Sequence, residues 1–168
     1  TEFVAQQDGS WLARGPAPPS DRYVIRLKLP TELTNLSAIR LETLTDPSLP
    51  QQGPGRAGNG NFVLSELQLL VGADDVRVPV AAIADHAQPN YPVTAALDGD
   101  LATGWAINLA PGDSSHGPLN SPRTALFAFA EPIEPPADGA VELVLRFGPQ
   151  PAGYSIGRFR VSVTDRDP

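Results

Sequence analysis

The chain of 168 residues contains no cysteine. That absence excludes a disulfide framework, a thiolate zinc site, a cysteine nucleophile and haem attached through C-x-x-C-H. It excludes neither a reducing nor an oxidising compartment. The sequence also has no run of about 18 apolar residues, the length a membrane-crossing helix needs, so no membrane insertion is expected. The opening Thr1-Glu2-Phe3 lacks the basic and apolar regions of a secretory signal. A start so abrupt is expected of a domain cut from a larger protein.

Basic residues are scarce: Lys and Arg together number 12 against 19 Asp and Glu, for a net charge of -7. Only Lys28 among the 12 is a lysine, a bias that carries no function by itself. Sequence-independent nucleic-acid binding needs clustered cations to displace counterions from phosphate, so no nucleic-acid partner is expected. An anionic polysaccharide is disfavoured on the same ground, except where a local group of arginines overrides the overall sign.

Catalytic signatures are missing as well. The sequence has no G-x-S-x-G elbow, no H-E-x-x-H and no phosphate-cradling glycine loop. The two histidines, His86 and His116, lie in loop-like stretches without an acidic or hydroxyl neighbour at triad-like spacing. No pair of carboxylates stands out for glycoside hydrolysis. A non-enzymatic role is expected.

What is abundant is turn chemistry. Pro 19 and Gly 15, in a chain that is 41% hydrophobic, imply many short elements joined by tight turns, which suits an all-β sandwich rather than a helical bundle. At this length one domain, residues 1–168, is sufficient, and it buries roughly 70% of the surface of the unfolded chain.

Alternation places the strands. In residues 23–29, Tyr23, Ile25, Leu27 and Leu29 share one face, and the strand ends at Pro30. Residues 38–43, 62–71, 105–109, 124–129, 141–147 and 159–164 are further strands. In the last two, Val141, Leu143, Leu145 and Phe147, then Phe159, Val161 and Val163, point one way. Pro79 demotes 76–83 to an edge strand or a loop. Residues 46–60, 85–92 and 110–122 are loops, and 30–36 is the only helix-like stretch.

One turn is rich in oxygen ligands. In Asp98-Gly99-Asp100-Leu101-Ala102-Thr103-Gly104-Trp105, Gly99 permits a sharp turn that would let two carboxylates and the Thr103 hydroxyl converge on one hard cation. The alternative is an Asx-type turn in which Asp98 caps its own backbone. Trp105 is expected in the core. Trp11, Tyr91 and Tyr154 lie near turns and are candidates for stacking on a sugar ring, or for packing under loops. Arg56, Asn59 and Asn61 form a polar cluster that could meet a ligand's hydroxyls or tie down its own loop.

Taken together, the 98–105 turn, Pro54-Gly55-Arg56-Ala57-Gly58-Asn59-Gly60-Asn61-Phe62-Val63-Leu64-Ser65-Glu66-Leu67 and Gly157-Arg158-Phe159-Arg160-Val161 resemble the discoidin-like, galactose-binding-like domain, in the version found in planctomycete cytochrome c-containing extracytoplasmic proteins. The likeness spans nearly the whole chain. Ser65-Glu66 precedes the Asp98 turn, whereas the usual discoidin order is the reverse, so the chain reads as circularly permuted. Where the family version tends to have a histidine before Ile-Gly-Arg-Phe, this chain has Tyr154 and Ser155, and His86 stands where an aromatic is usual.

The resemblance implies a jelly-roll β-sandwich. It implies a structural calcium ion held by Asp98, Asp100, Thr103 and Glu66, the glutamate closing the site. It further implies a carbohydrate-binding module for a polysaccharide or other glycan, with Trp11, Tyr154, Tyr91, Arg56 and Asn61 as candidate contacts, and an extracytoplasmic location. A structural or docking module that orders neighbouring domains of a larger protein is the alternative.

Overall fold

A computed structural model describes residues 1–72, 74–109, 117–149 and 151–166. Among these the chain is all-β. Its strands, in order, are β1 (Glu2–Ala5), β2 (Trp11–Arg14), β3 (Asp21–Lys28), β4 (Leu36–Thr43), β5 (Val63–Leu64), β6 (Glu66–Val71), β7 (Asp75–Arg77), β8 (Ala81–Ala84), β9 (Trp105–Ala106), β10 (Arg123–Ile133), β11 (Ala140–Phe147) and β12 (Arg158–Thr164). Two short 3-10 turns, Pro50–Gln52 and Val93–Leu97, complete the set. No described helix is long and apolar enough to cross a membrane.

The strands pair antiparallel into a six-stranded sheet, β1-β2-β12-β4-β10-β8, a four-stranded sheet, β3-β11-β6-β7, and the small pair β5-β9. Tyr23, Ile25, Leu67, Leu69, Val141, Leu143 and Leu145 from one sheet join Ala13, Ile39, Leu41, Phe127 and Phe159 from the other in one apolar cluster. Two antiparallel sheets therefore face each other across a shared core, the arrangement of a β-sandwich. The alternation read from the sequence is what selects these faces: Tyr23 and Ile25 are buried while Val24 and Arg26, each following one of them, are exposed.

The structure departs from the expected strands in instructive places. The single strand expected over 62–71 is split at Ser65, so that β5 turns away to pair with β9 while β6 joins the four-stranded sheet. Pro79 likewise separates β7 from β8, and each forms an edge of a different sheet. β10 is longer than expected, and its register shifts between Ala128 and Ile133, where Pro132 has no N–H to give the ladder. The stretch 30–36 forms no helix. The expected loop at 110–122 and His116 fall largely outside the described residues.

β4 is the exception to alternation, because seven of its eight residues are buried. It runs between β12 and β10, and its outward face is covered by side chains. Arg160 on β12 lies opposite Glu42 and grips it with two bonds of 2.8 and 3.0 Å. Arg40 adds a third contact at 3.1 Å. Arg158 reaches Asp8 at 2.8 Å and Asp46 at 3.5 Å, so arginines lash the 45–60 loop and the β1–β2 turn to the outside of the sheet.

Candidate functional site

The 98–103 turn is closed by its own oxygens. Gly99 adopts φ 81°, a left-handed conformation that side chains resist, and this turns its N–H onto Glu66 Oε1 at 2.6 Å. Asp98 Oδ1 accepts the N–H of Asp100 at 2.9 Å, and Asp100 Oδ1 accepts that of Ala102 at 2.8 Å. The Thr103 hydroxyl donates to Asp98 Oδ2 at 2.7 Å. These are the Asx-type bonds that the sequence offered as one of two readings.

Ser65 and Glu66, where the chain passes from β5 to β6, clamp this turn from below. The Ser65 hydroxyl donates to the Leu101 carbonyl at 3.2 Å and accepts the Gly148 N–H at 3.1 Å. A β-carbon on Gly148 would stand 2.0 Å from the Leu101 carbonyl oxygen, so only glycine allows the approach. Glu66 is buried, and burial raises its carboxyl above the usual range. The Gly99 bond opposes that shift, the nearby charges of Asp98 and Asp100 reinforce it, and Arg146 pulls the other way.

Thus Asp98, Asp100, Thr103 and Glu66 are neighbours around one turn. Among the described residues no three His, Cys, Asp or Glu side chains are drawn together as a metal-holding group. A cation here would have to compete with the Asx bonds for the oxygens of Asp98 and Asp100.

Trp105, next along the chain, is fully buried, with its indole N–H on the His86 carbonyl at 2.9 Å and its ring edge-on to Phe62. It is a core residue, as expected. Asn61 is also buried: its amide donates to Gln88 at 3.2 Å and accepts the Ile107 N–H at 3.0 Å. Its polar atoms hold the 86–109 segment in place and offer little to a ligand. Asn59 accepts the Asn61 N–H at 3.2 Å.

Arg56 bonds to the Gly15 carbonyl and to the Thr1 hydroxyl, lies 3.9 Å from Asp21, and has a side chain only 6% exposed. Of the polar cluster, then, Asn59 and Asn61 tie loops together from within. Arg56 does so while its side chain still lines a surface cleft.

The candidate stacking rings are dispersed. Trp11 is half-buried, its ring tilted against Phe159 at 5.6 Å, beside Phe3 and Val24 in a small groove. Tyr91 is half-buried near Gln88, whose carbonyl accepts the Tyr91 N–H at 2.9 Å. Tyr154 is half-buried in the segment that joins two loops: the Gly153 N–H reaches the Pro19 carbonyl at 3.2 Å, and the Ser155 carbonyl accepts the Arg56 N–H at 2.9 Å.

That last junction borders an open cleft of about 320 Å³, lined by Ala13, Arg14, Gly15, Ala17, Ser48, Leu49, Pro50 and Arg56. Sequence reasoning named Arg56 alone of these, since a cleft between β2 and a loop three dozen residues later has no local signal. No protein-family model, curated protein or solved structure matches the chain.

Proposed function

We propose that this chain is a non-catalytic carbohydrate-binding module of jelly-roll, galactose-binding-like type, permuted relative to the discoidin order and belonging to a larger extracytoplasmic protein. The observation that carries the reading is the loop-built cleft at residues 13–17 and 48–50. It is open to solvent and combines the buried apolar Ala13 and Leu49 with the polar Arg14, Ser48 and Arg56 on its lining. Its volume is near the lower end for ligand pockets, roughly 300 to 1,000 Å³, which suits one or two sugar rings.

Stacking on one ring with a few hydrogen bonds gives weak binding, on the order of 10 μM to 1 mM, because most polar contacts merely replace those to water. A glycan array of the chain, with and without calcium, tests this. Tyr154→Ala is expected to lower retention and Trp11→Ala to lower it less, since the Trp11 ring is engaged with Phe159. Unchanged retention in both variants would remove the aromatic contact from the reading.

Calcium belongs to this proposal as a structural ion. Asp98, Asp100, Thr103 and Glu66 are the side chains that would hold it, supplemented by backbone carbonyls, and it would cross-link the turn to β6. Support comes from Glu66, a buried carboxylate facing two more acidic groups, an arrangement whose charge a cation would neutralise. Calcium bound at a hundredfold excess over its dissociation constant stabilises the fold by about 2.7 kcal/mol. The melting temperature is therefore expected to fall in chelator, and an unchanged curve together with metal-free elemental analysis would remove calcium from the reading.

A docking module is the second reading, and one feature favours it. Val76, Val78, Val80 and Ile83 are 51%, 39%, 66% and 69% exposed along the β7–β8 margin. Exposed apolar groups this close together mark association surfaces when they form a continuous patch. Absence of retention on a broad array would move the assignment to docking between neighbouring domains.

A further inference from the structure

The cleft at residues 13–17 and 48–50 has two arginines and no carboxylate on its lining, in a chain of net charge -7. Arg56 and Arg14 both line it. Their situations differ. Arg56 spends donors on Gly15 and Thr1 and faces Asp21. Arg14, exposed at the end of β2 across the ladder from Glu2, makes no side-chain hydrogen bond or ion pair among the described residues and acts on Asp46 through space. Asp46 is itself held by Ser48, whose hydroxyl donates to it at 2.6 Å, and by Arg158. A guanidinium carries five N–H donors in a planar fork matched to a carboxylate. All five of Arg14 are left to solvent.

The turn that follows Leu49 and Pro50 is preset. Gln51 and Gln52 are consecutive non-glycine residues with φ of 51° and 56°, a conformation that L-residues avoid. The bonds from Gln52 N–H to Leu49 O and Gly53 N–H to Pro50 O, each 3.0 Å, hold it. Backbone held in sparsely populated conformations clusters where ligands are clamped. Here it fixes the backbone of Leu49 and Pro50, which line the cleft. A second cleft has Arg22 and Arg146 on its lining but also Asp21, a carboxylate that would repel an acidic sugar.

We infer that the cleft between residues 13–17 and 48–50 is a subsite for an acidic sugar, with Arg14 binding the sugar's carboxylate. This rests on the glycan-binding reading and narrows its substrate class to uronate-containing glycans, against the sign of the whole molecule. Leu49 and Pro50 supply the apolar contact for the ring.

The test is calorimetric titration of the chain with a trigalacturonate and with the neutral galactotriose, at low and at moderate salt. The uronate is expected to bind about tenfold more tightly at low salt, with the preference shrinking as salt screens the contact. Arg14→Gln is expected to abolish the preference, weakening uronate binding about tenfold more than neutral-sugar binding, and Arg14→Lys to restore part of it. Equal affinity for the two sugars, or a preference that survives in Arg14→Gln, overturns the subsite and leaves the glycan-binding reading standing. Acetate binding as tightly as the uronate would overturn the sugar assignment in favour of a simple anion site. Binding of neither sugar overturns both readings, and matching circular dichroism and melting curves show that the variants are folded.

Discussion

At Gly55 the chain has no room for a side chain. A β-carbon there would lie 1.9 Å from the Asn61 carbonyl oxygen and 2.7 Å from the Phe62 nitrogen, both backbone atoms that cannot swing aside. Gly55→Ala is expected to destabilise by about 3 kcal/mol or more, at the upper end of overpacking costs. Gly58→Ala in the same loop, where nothing lies within 4 Å, is expected to be nearly neutral. Urea denaturation of the two variants checks the contrast. Asn61 acts in the same region by bonding rather than by shape. Asn61→Ala leaves the Ile107 N–H without its acceptor, and a loss of about 1–3 kcal/mol is expected, the cost of an unsatisfied buried group. That loss would appear without any sugar present, which separates a structural asparagine from a ligand contact.

The 98–103 turn behaves as an element rather than as a set of residues. Asp98 accepts from both Asp100 and Thr103, so Asp98→Ala removes two bonds from the turn at once. In metal-free protein the expected cost is about 1–2 kcal/mol, as for the loss of local capping bonds. With calcium present the same variant is expected to lose, in addition, any calcium-dependent rise in melting temperature. Thermal unfolding with chelator and with added calcium separates the two contributions. If Asp98→Ala retained the full calcium response, the ion would lie elsewhere.

Across the whole molecule, acid stability is tied to the arginine lashings of the six-stranded sheet. The bond from Arg160 holds Glu42 below its ordinary value of 4.5, against the opposing effect of burial, with Arg40 helping. At Asp46 burial pushes upward, yet bonds from Ser48 and the charges of Arg158 and Arg14 bring the carboxyl below its ordinary 3.8. Carboxyls depressed in the folded state add stability that is present above their unfolded values and lost as pH falls through the folded ones. Stability is therefore expected to decline below about pH 4.5. Glu42→Gln should flatten that decline while lowering stability at neutral pH only modestly, because the pair is partly open to solvent. Denaturation midpoints from pH 3 to 7 check both slopes, and parallel curves for the variant would assign the acid sensitivity to other groups.

The sequence by itself determined the all-β class and most of the strands. Period-two alternation such as Tyr23, Ile25 and Leu27 is a local property, and proline and glycine punctuate it locally. It also marked Asp98 to Thr103 as one turn and Trp105 as core. The tertiary structure decided which strands are neighbours, which places β4 between β12 and β10 and so buries Glu42 under Arg160 on a face that alternation alone would leave wet. β1 and β2 escaped the sequence reading because four-residue strands are too short to show a period; β1 stays exposed, and the burial of β2 depends on pairing with β12 far along the chain. The buried state of Asn61 and the cleft floor of Leu49 beneath Arg14 were equally hidden. Each arises where segments distant in sequence meet, and no local pattern records such a meeting.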